Sequence, residues 1–195
     1  MPRTWPLAES DPGVCTRCAE QGRTCCNLTP GQEELCFPLS KVEWDRILEV
    51  VGEQGAFVQS PNAASFRANM RRLFPREEAF IDRLFPNHGV HLRLATRPDG
   101  SCALLGPEGC TLPREARPYY CRVFPFWVVG EKLTMFTPDY CLAIQERPRI
   151  GQLLAGLELT EKSVFEMHGR LRLAWGLPPK PGQKVVETVF TRNKK

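Results

Sequence analysis

Apolar residues recur with helical spacing through the middle and the C-terminal third of the chain, and with strand-like alternation between those regions. Trp44, Ile47, Leu48 and Val51 step by three and four residues and would share one buried helix face. Ser40 followed by Glu43 makes a capping box at the start of that helix, where Leu39 can staple onto Trp44 across the first turn. Phe66, Met70, Leu73 and Phe74 repeat the spacing, as do Phe80, Ile81, Leu84 and Phe85 after Pro75. Thr160 can cap a longer helix with Val164, Met167, Leu171, Ala174 and Trp175 along one side, and GLPPKPG ends it. From His91 the period falls to two: HLRLAT alternates, RPDGS supplies a turn and CALL follows, which predicts a small hairpin. FWVVGEKLTMF predicts a second hairpin turning near Gly130. The end, QKVVETVFTRNKK, reads as a strand or a loose tail.

These elements predict an α+β fold, mainly helical, with small hairpins. Residues 1–176 form one domain in this reading, and 177–195 a C-terminal tail. Charged residues make up 25% of the chain and apolar residues 42%, ordinary for a folded soluble protein. The formal charge of +4 comes without any run of five Lys or Arg, so nucleic acid is not indicated as a partner. No stretch approaches the roughly 18 apolar residues of a membrane span, so no membrane association is expected. MPRTWPLAESDPGV lacks the apolar stretch of a secretion signal, which points to the cytoplasm.

The cysteines change the picture from an ordinary domain to a candidate site. Nine are present, in two blocks: Cys15, Cys18, Cys25, Cys26 and Cys36, then Cys102, Cys110, Cys121 and Cys141. In a reducing compartment clustered thiols more often bind metal or do redox chemistry than form disulfides, and an odd count argues against a closed disulfide framework. The C-x2-C spacing of Cys15 and Cys18 suits a tight turn presenting two sulfurs to one ion. Cys25 and Cys26 are adjacent, so their side chains diverge and their roles should differ. The polar neighbours of the first four cysteines keep them out of an apolar core in this reading, whereas Cys141 reads equally as a ligand or as a buried small hydrophobe. The wider gaps of the second block need a folded scaffold to bring its sulfurs together, and both blocks are expected to converge on one centre.

Several thiolates on one ion leave negative charge that Arg117 or Arg122 can offset, although either arginine could instead make an ordinary salt bridge, as Arg117 could with Glu108 or Glu115. His88, His91 and His168 lack ligand spacing, and His168 falls on the apolar face of its helix as a core histidine. RVFPFWVV reads as aromatic packing around the cysteines. GPEG has no phosphate-loop continuation, and no nucleophile triad motif is present.

CALLGPEGCTLPREARPYYCRVFPF resembles the signature of the YkgJ-like cysteine-cluster proteins, a zinc- or iron-chelating domain family. The residues that carry the likeness are Cys102, Cys110, Arg117, Pro118, Cys121, Arg122, Phe124 and Pro125, and the Cys25-Cys26 pair before the capped helix resembles the family's opening. The six-residue gap AEQGRT before Cys25 is longer than is usual there. The resemblance implies a metal-chelating module without fixing a reaction, and relatives of the domain include flagellin lysine N-methylases. The expectation is therefore a metal ion as partner, with an iron-sulfur cluster or zinc as cofactor. An enzyme of electron or methyl transfer and a zinc-stapled protein-interaction module are the alternatives.

Overall fold

The structure is a computed structural model that describes residue 11 and residues 13–22, 24–52 and 56–178. Among these residues the chain is α+β, with eight helices and three two-stranded antiparallel sheets. In chain order these are α1 (Val14–Glu20), α2 (Lys41–Val51), β1 (Phe57–Pro61), α3 (Ala64–Leu73), α4 (Glu78–Leu84), β2 (Val90–Leu94), β3 (Leu105–Gly106) and β4 (Gly109–Cys110). They are followed by α5 (Tyr119–Val123), β5 (Phe126–Val129), β6 (Lys132–Met135), α6 (Leu142–Glu146), α7 (Ile150–Gly156) and α8 (Glu161–Ala174). None of the helices is long and apolar enough to cross a membrane.

The capping boxes form where expected. The Ser40 side chain accepts from the Glu43 backbone at the start of α2, and Thr160 accepts from Ser163 at the start of α8. FWVVGEKLTMF is the β5–β6 hairpin, with Gly130 at a φ of 64° in the turn. The other hairpin is corrected. HLRLAT pairs chiefly with β1, with Phe57 opposite Leu94 and Pro61 opposite Val90, and meets CALL only at its end, where Ala103 N donates to Ala95 O at 2.9 Å. The RPDGS turn does close, through Arg97 N to Ser101 O at 2.7 Å, but it leads to a single bridge between Thr96 and Cys102. The Cys102 N–H is used elsewhere, by the Cys26 carbonyl. GPEG instead turns the short β3–β4 pair.

Two apolar clusters hold these elements. The larger joins α3, α4, α5, α7, α8 and β5 through Phe66, Met70, Ile81, Val123, Phe126, Leu153, Val164 and Leu171, all of them fully buried. The smaller lies under α2, where Ile47 packs with Leu39, Ala56, Leu104, Leu112 and Ala116. Trp44, Leu48 and Val51 are only half-buried, and in α4 Phe80 and Leu84 face solvent while Ile81 and Phe85 are buried. His168 is a core histidine, its ring edge-on to Trp127 at 4.9 Å. The aromatic segment packs as expected: Phe37 stacks on Tyr120 at 4.5 Å and meets Trp127 edge-on.

Packing runs past residue 176, since Leu177 is buried and the Pro178 carbonyl accepts from Arg172. Arg172 is itself buried and pairs with Glu77 at 2.6 Å. The strand-or-tail reading of QKVVETVFTRNKK lies outside the described residues.

His91 on β2 gives the fold a pH dependence. It is buried against Phe66, ring on ring at 3.7 Å, with Nδ1 2.9 Å from Asn62 Oδ1. Burial first, and the nearby Arg93 charge second, lower its pKa from 6.5 to about 4. A histidine that is depressed on folding contributes stability above its unfolded pKa, and this is lost as pH falls from about 6.5 towards 4. About 2.5 kcal/mol should disappear between about pH 7 and pH 4.5. Urea unfolding should show this loss in the native chain and not in His91→Gln. An unchanged acid slope in the variant would mean that other groups carry it.

Candidate metal centre

Four of the nine thiols pack with the two apolar clusters. Cys18 and Cys141 belong to the larger cluster, and Cys102 and Cys110 pack against the smaller. Cys15 and Cys18 do not form a tight turn: they sit one turn apart on α1. Val14 and Cys18, at i and i+4, share its inward face, which is why Cys18 enters the core despite its polar neighbours. Cys15 remains solvent-accessible. Cys25 and Cys26 occupy the turn after Thr24, whose hydroxyl oxygen accepts from Cys26 N at 3.0 Å. Cys36 follows a 3-10 turn at Glu33–Leu35, with Arg93 Nη1 3.9 Å from its sulfur. Cys110 ends β4, Cys121 lies in α5 and Cys141 precedes α6.

Backbone hydrogen bonds bring the two blocks together. Cys102 N donates to Cys26 O at 2.7 Å, Leu28 N donates to Gly100 O at 2.9 Å, and Asn27 and Ser101 form a bridge between them. α5 is placed from the other side by Glu43. This buried side chain accepts from Ser40 N at 2.9 Å and Ser40 Oγ at 2.6 Å through Oε2, and from Tyr119 N at 2.7 Å through Oε1. It therefore caps its own helix and the helix that carries Cys121. Glu43→Gln should destabilise the fold by about 2 kcal/mol, because the amide keeps one acceptor oxygen where three donors converge. A melting temperature equal to that of the native chain would show that the link contributes nothing.

Cys26 is the electrostatic centre of the group. Cys15, Cys25, Cys102, Cys110 and Cys121 all lie within range of its charge. Cys36 joins through Cys102, and Cys18 and Cys141 through Cys15. A hydrogen bond from Cys25 holds Cys26 down at about 7, with Thr24 and the Arg117 guanidinium assisting against burial. The same hydrogen bond, and then burial, push Cys25 well up. Burial pushes Cys102 to about 12 and also raises Cys15, Cys36, Cys110, Cys121 and Cys141. Cys15, Cys25 and Cys121 nevertheless keep solvent-accessible surface.

The two arginines separate. Arg117 is fastened by Nε to Leu112 O at 3.0 Å, and its charge favours the thiolates of Cys15, Cys26 and Cys110. Arg122 has Arg46, Arg114 and Arg170 as its charged neighbours. Arg117 makes no salt bridge to Glu108 or Glu115 among the described residues. Thr24, Glu43, Arg93 and Gly100 are parts of the site that spacing alone does not mark.

Donor chemistry tests whether a metal suits this group of thiols. Neighbouring thiols raise one another and so resist joint ionisation, and a bound cation reverses that balance. Soft sulfur donors with a guanidinium beside them suit zinc or an iron-sulfur cluster. Among the described residues no three His, Cys, Asp or Glu side chains stand together as a ready-made metal-ligating group. Compared with known proteins, the chain matches no protein-family model, no curated protein and no solved structure.

Proposed function

We propose that the chain is a metal-binding protein whose two cysteine blocks hold an iron-sulfur cluster around Cys26. The observation that carries the reading is the seam that joins the two blocks, where Cys102 N donates to Cys26 O at 2.7 Å, and the charge of Cys26 acts on five further thiols from both blocks. Ligands would be drawn from Cys15, Cys25, Cys26, Cys102, Cys110 and Cys121, with Cys18, Cys36 and Cys141 at the margins. Six thiols exceed the four that one zinc ion or one cluster takes, and the choice of a cluster rests on the likeness to the YkgJ-like proteins, whose relatives include flagellin lysine N-methylases. Such a cluster, when bound, supplies reversible one-electron transfer. The chain's own part is to hold the sulfurs at the seam, to offset their charge with Arg117 and to keep an opening at Cys15, Cys25 and Cys121. That opening favours, as a second reading, an enzyme that passes electrons to a bound molecule. The resemblance to the YkgJ-like proteins agrees in kind and adds no reaction.

The test is anaerobic purification followed by an absorption spectrum and by iron, sulfide and zinc analysis. Broad absorbance near roughly 400 nm with iron and sulfide supports the proposal. Colourless protein with stoichiometric zinc replaces the cluster by a zinc staple, and a chain that takes up neither metal after reconstitution overturns both.

A further inference from the structure

A cleft of ≈370 Å³ lies between α5, α8 and the loop that precedes α8. Arg114, Arg122 and Arg170 line it, and none of the three is ion-paired among the described residues. Arg122 Nε is fully buried and finds no acceptor among the described residues. A buried N–H without an acceptor is rare in folded proteins and marks a place where a ligand oxygen fits. Arg46 adds a fourth positive charge near Arg122, and its own guanidinium is fastened to the Ala116 and Arg117 carbonyls. Three carboxylates, Glu115, Glu158 and Glu166, also line the cleft, and none of them is ion-paired to an arginine there among the described residues. Glu158 stands at a φ of 54°, a backbone conformation that non-glycine residues seldom adopt and that tends to persist at ligand sites.

We propose that this cleft binds a small phosphorylated polyol, the phosphate on Arg122, Arg114 and Arg170 and the hydroxyls on the carboxylates and Ser163. Three guanidinium groups match a dianion better than a single carboxylate, because each can donate paired N–H groups to phosphate oxygens. The carboxylates and the Ser163 hydroxyl supply the acceptors that a chain of hydroxyls needs, and only Leu159 and Met167 among the lining residues are apolar. The volume suits a molecule of sugar-phosphate size. None of the lining residues is a cysteine.

Isothermal titration of the full chain with glucose 6-phosphate, inorganic phosphate and glucose tests this. Glucose 6-phosphate should bind most tightly and inorganic phosphate more weakly, with no heat from glucose up to about 10 mM. Arg122→Gln and Arg170→Gln should each weaken glucose 6-phosphate by about tenfold or more. Arg170 is exposed, so its variant should keep the native melting temperature and report on binding alone. Silence with both phosphate probes at about 10 mM, or native affinity in Arg170→Gln, overturns the site. Inorganic phosphate binding as tightly as glucose 6-phosphate overturns the polyol assignment.

Discussion

Gly100→Ala is expected to part the two cysteine blocks. Gly100 sits at a φ of 85°, and a Cβ there would lie 1.9 Å from the Leu28 carbonyl oxygen and 3.3 Å from Pro30 Cδ. Neither neighbour is the free end of a side chain, so relief requires the backbone to move. The backbone that must move carries the Leu28–Gly100 hydrogen bond, the Asn27–Ser101 bridge and, next to them, the Cys102–Cys26 hydrogen bond. Strain and lost hydrogen bonds together should cost about 3–5 kcal/mol, a large share of a domain's stability, and the protein should lose its metal. Gly22→Ala provides the comparison, since Gly22 has a similar φ of 77° with nothing within 4 Å of the added carbon. It should cost only about 1 kcal/mol and retain metal. Urea unfolding and metal analysis of both variants decide, and equal effects would mean that the seam is not what holds the blocks.

Cys26→Ser should lower metal affinity by more than about 100-fold, and Cys25→Ser by about tenfold. The neighbours differ in place: Cys26 is partly buried at the seam, its carbonyl accepting from Cys102 N and its N–H donating to Thr24 Oγ1, whereas Cys25 is exposed. Losing Cys26 removes the sulfur around which the other five are arranged. Losing Cys25 removes an exposed thiol. Competition with a chelator, measured on both variants, separates them. Equal losses with a single metal in the native chain would make the pair a joint clamp on one ion.

Local rules made much of the fold legible. Both helix starts obey short side-chain rules, and the hairpin at Gly130 follows from alternation around one glycine. The strand 57–61 was not legible, because FVQSP has no clean alternation and its partner lies beyond two helices. The buried face of α2 is only partly legible: of the four apolar residues expected there Ile47 alone is fully buried, and Glu43 is buried by a contact 76 residues away at Tyr119. The cysteine spacing marked the residues of the candidate site but not their positions: Cys18 enters the core through helical periodicity, and Arg122 lines a cleft that Arg117 does not. Long-range backbone contacts such as Leu28 to Gly100 leave no local signature beyond a glycine in a turn.

Differential alkylation of native protein, followed by peptide mass spectrometry, asks most directly whether the two blocks share one centre. In metal-loaded protein Cys15, Cys25 and Cys26 from the first block and Cys102, Cys110 and Cys121 from the second should be protected together. After anaerobic chelation they should become reactive together, with the accessible Cys15, Cys25 and Cys121 labelled first. Labelling that is the same with and without metal, or protection confined to one block, would contradict a shared thiolate centre.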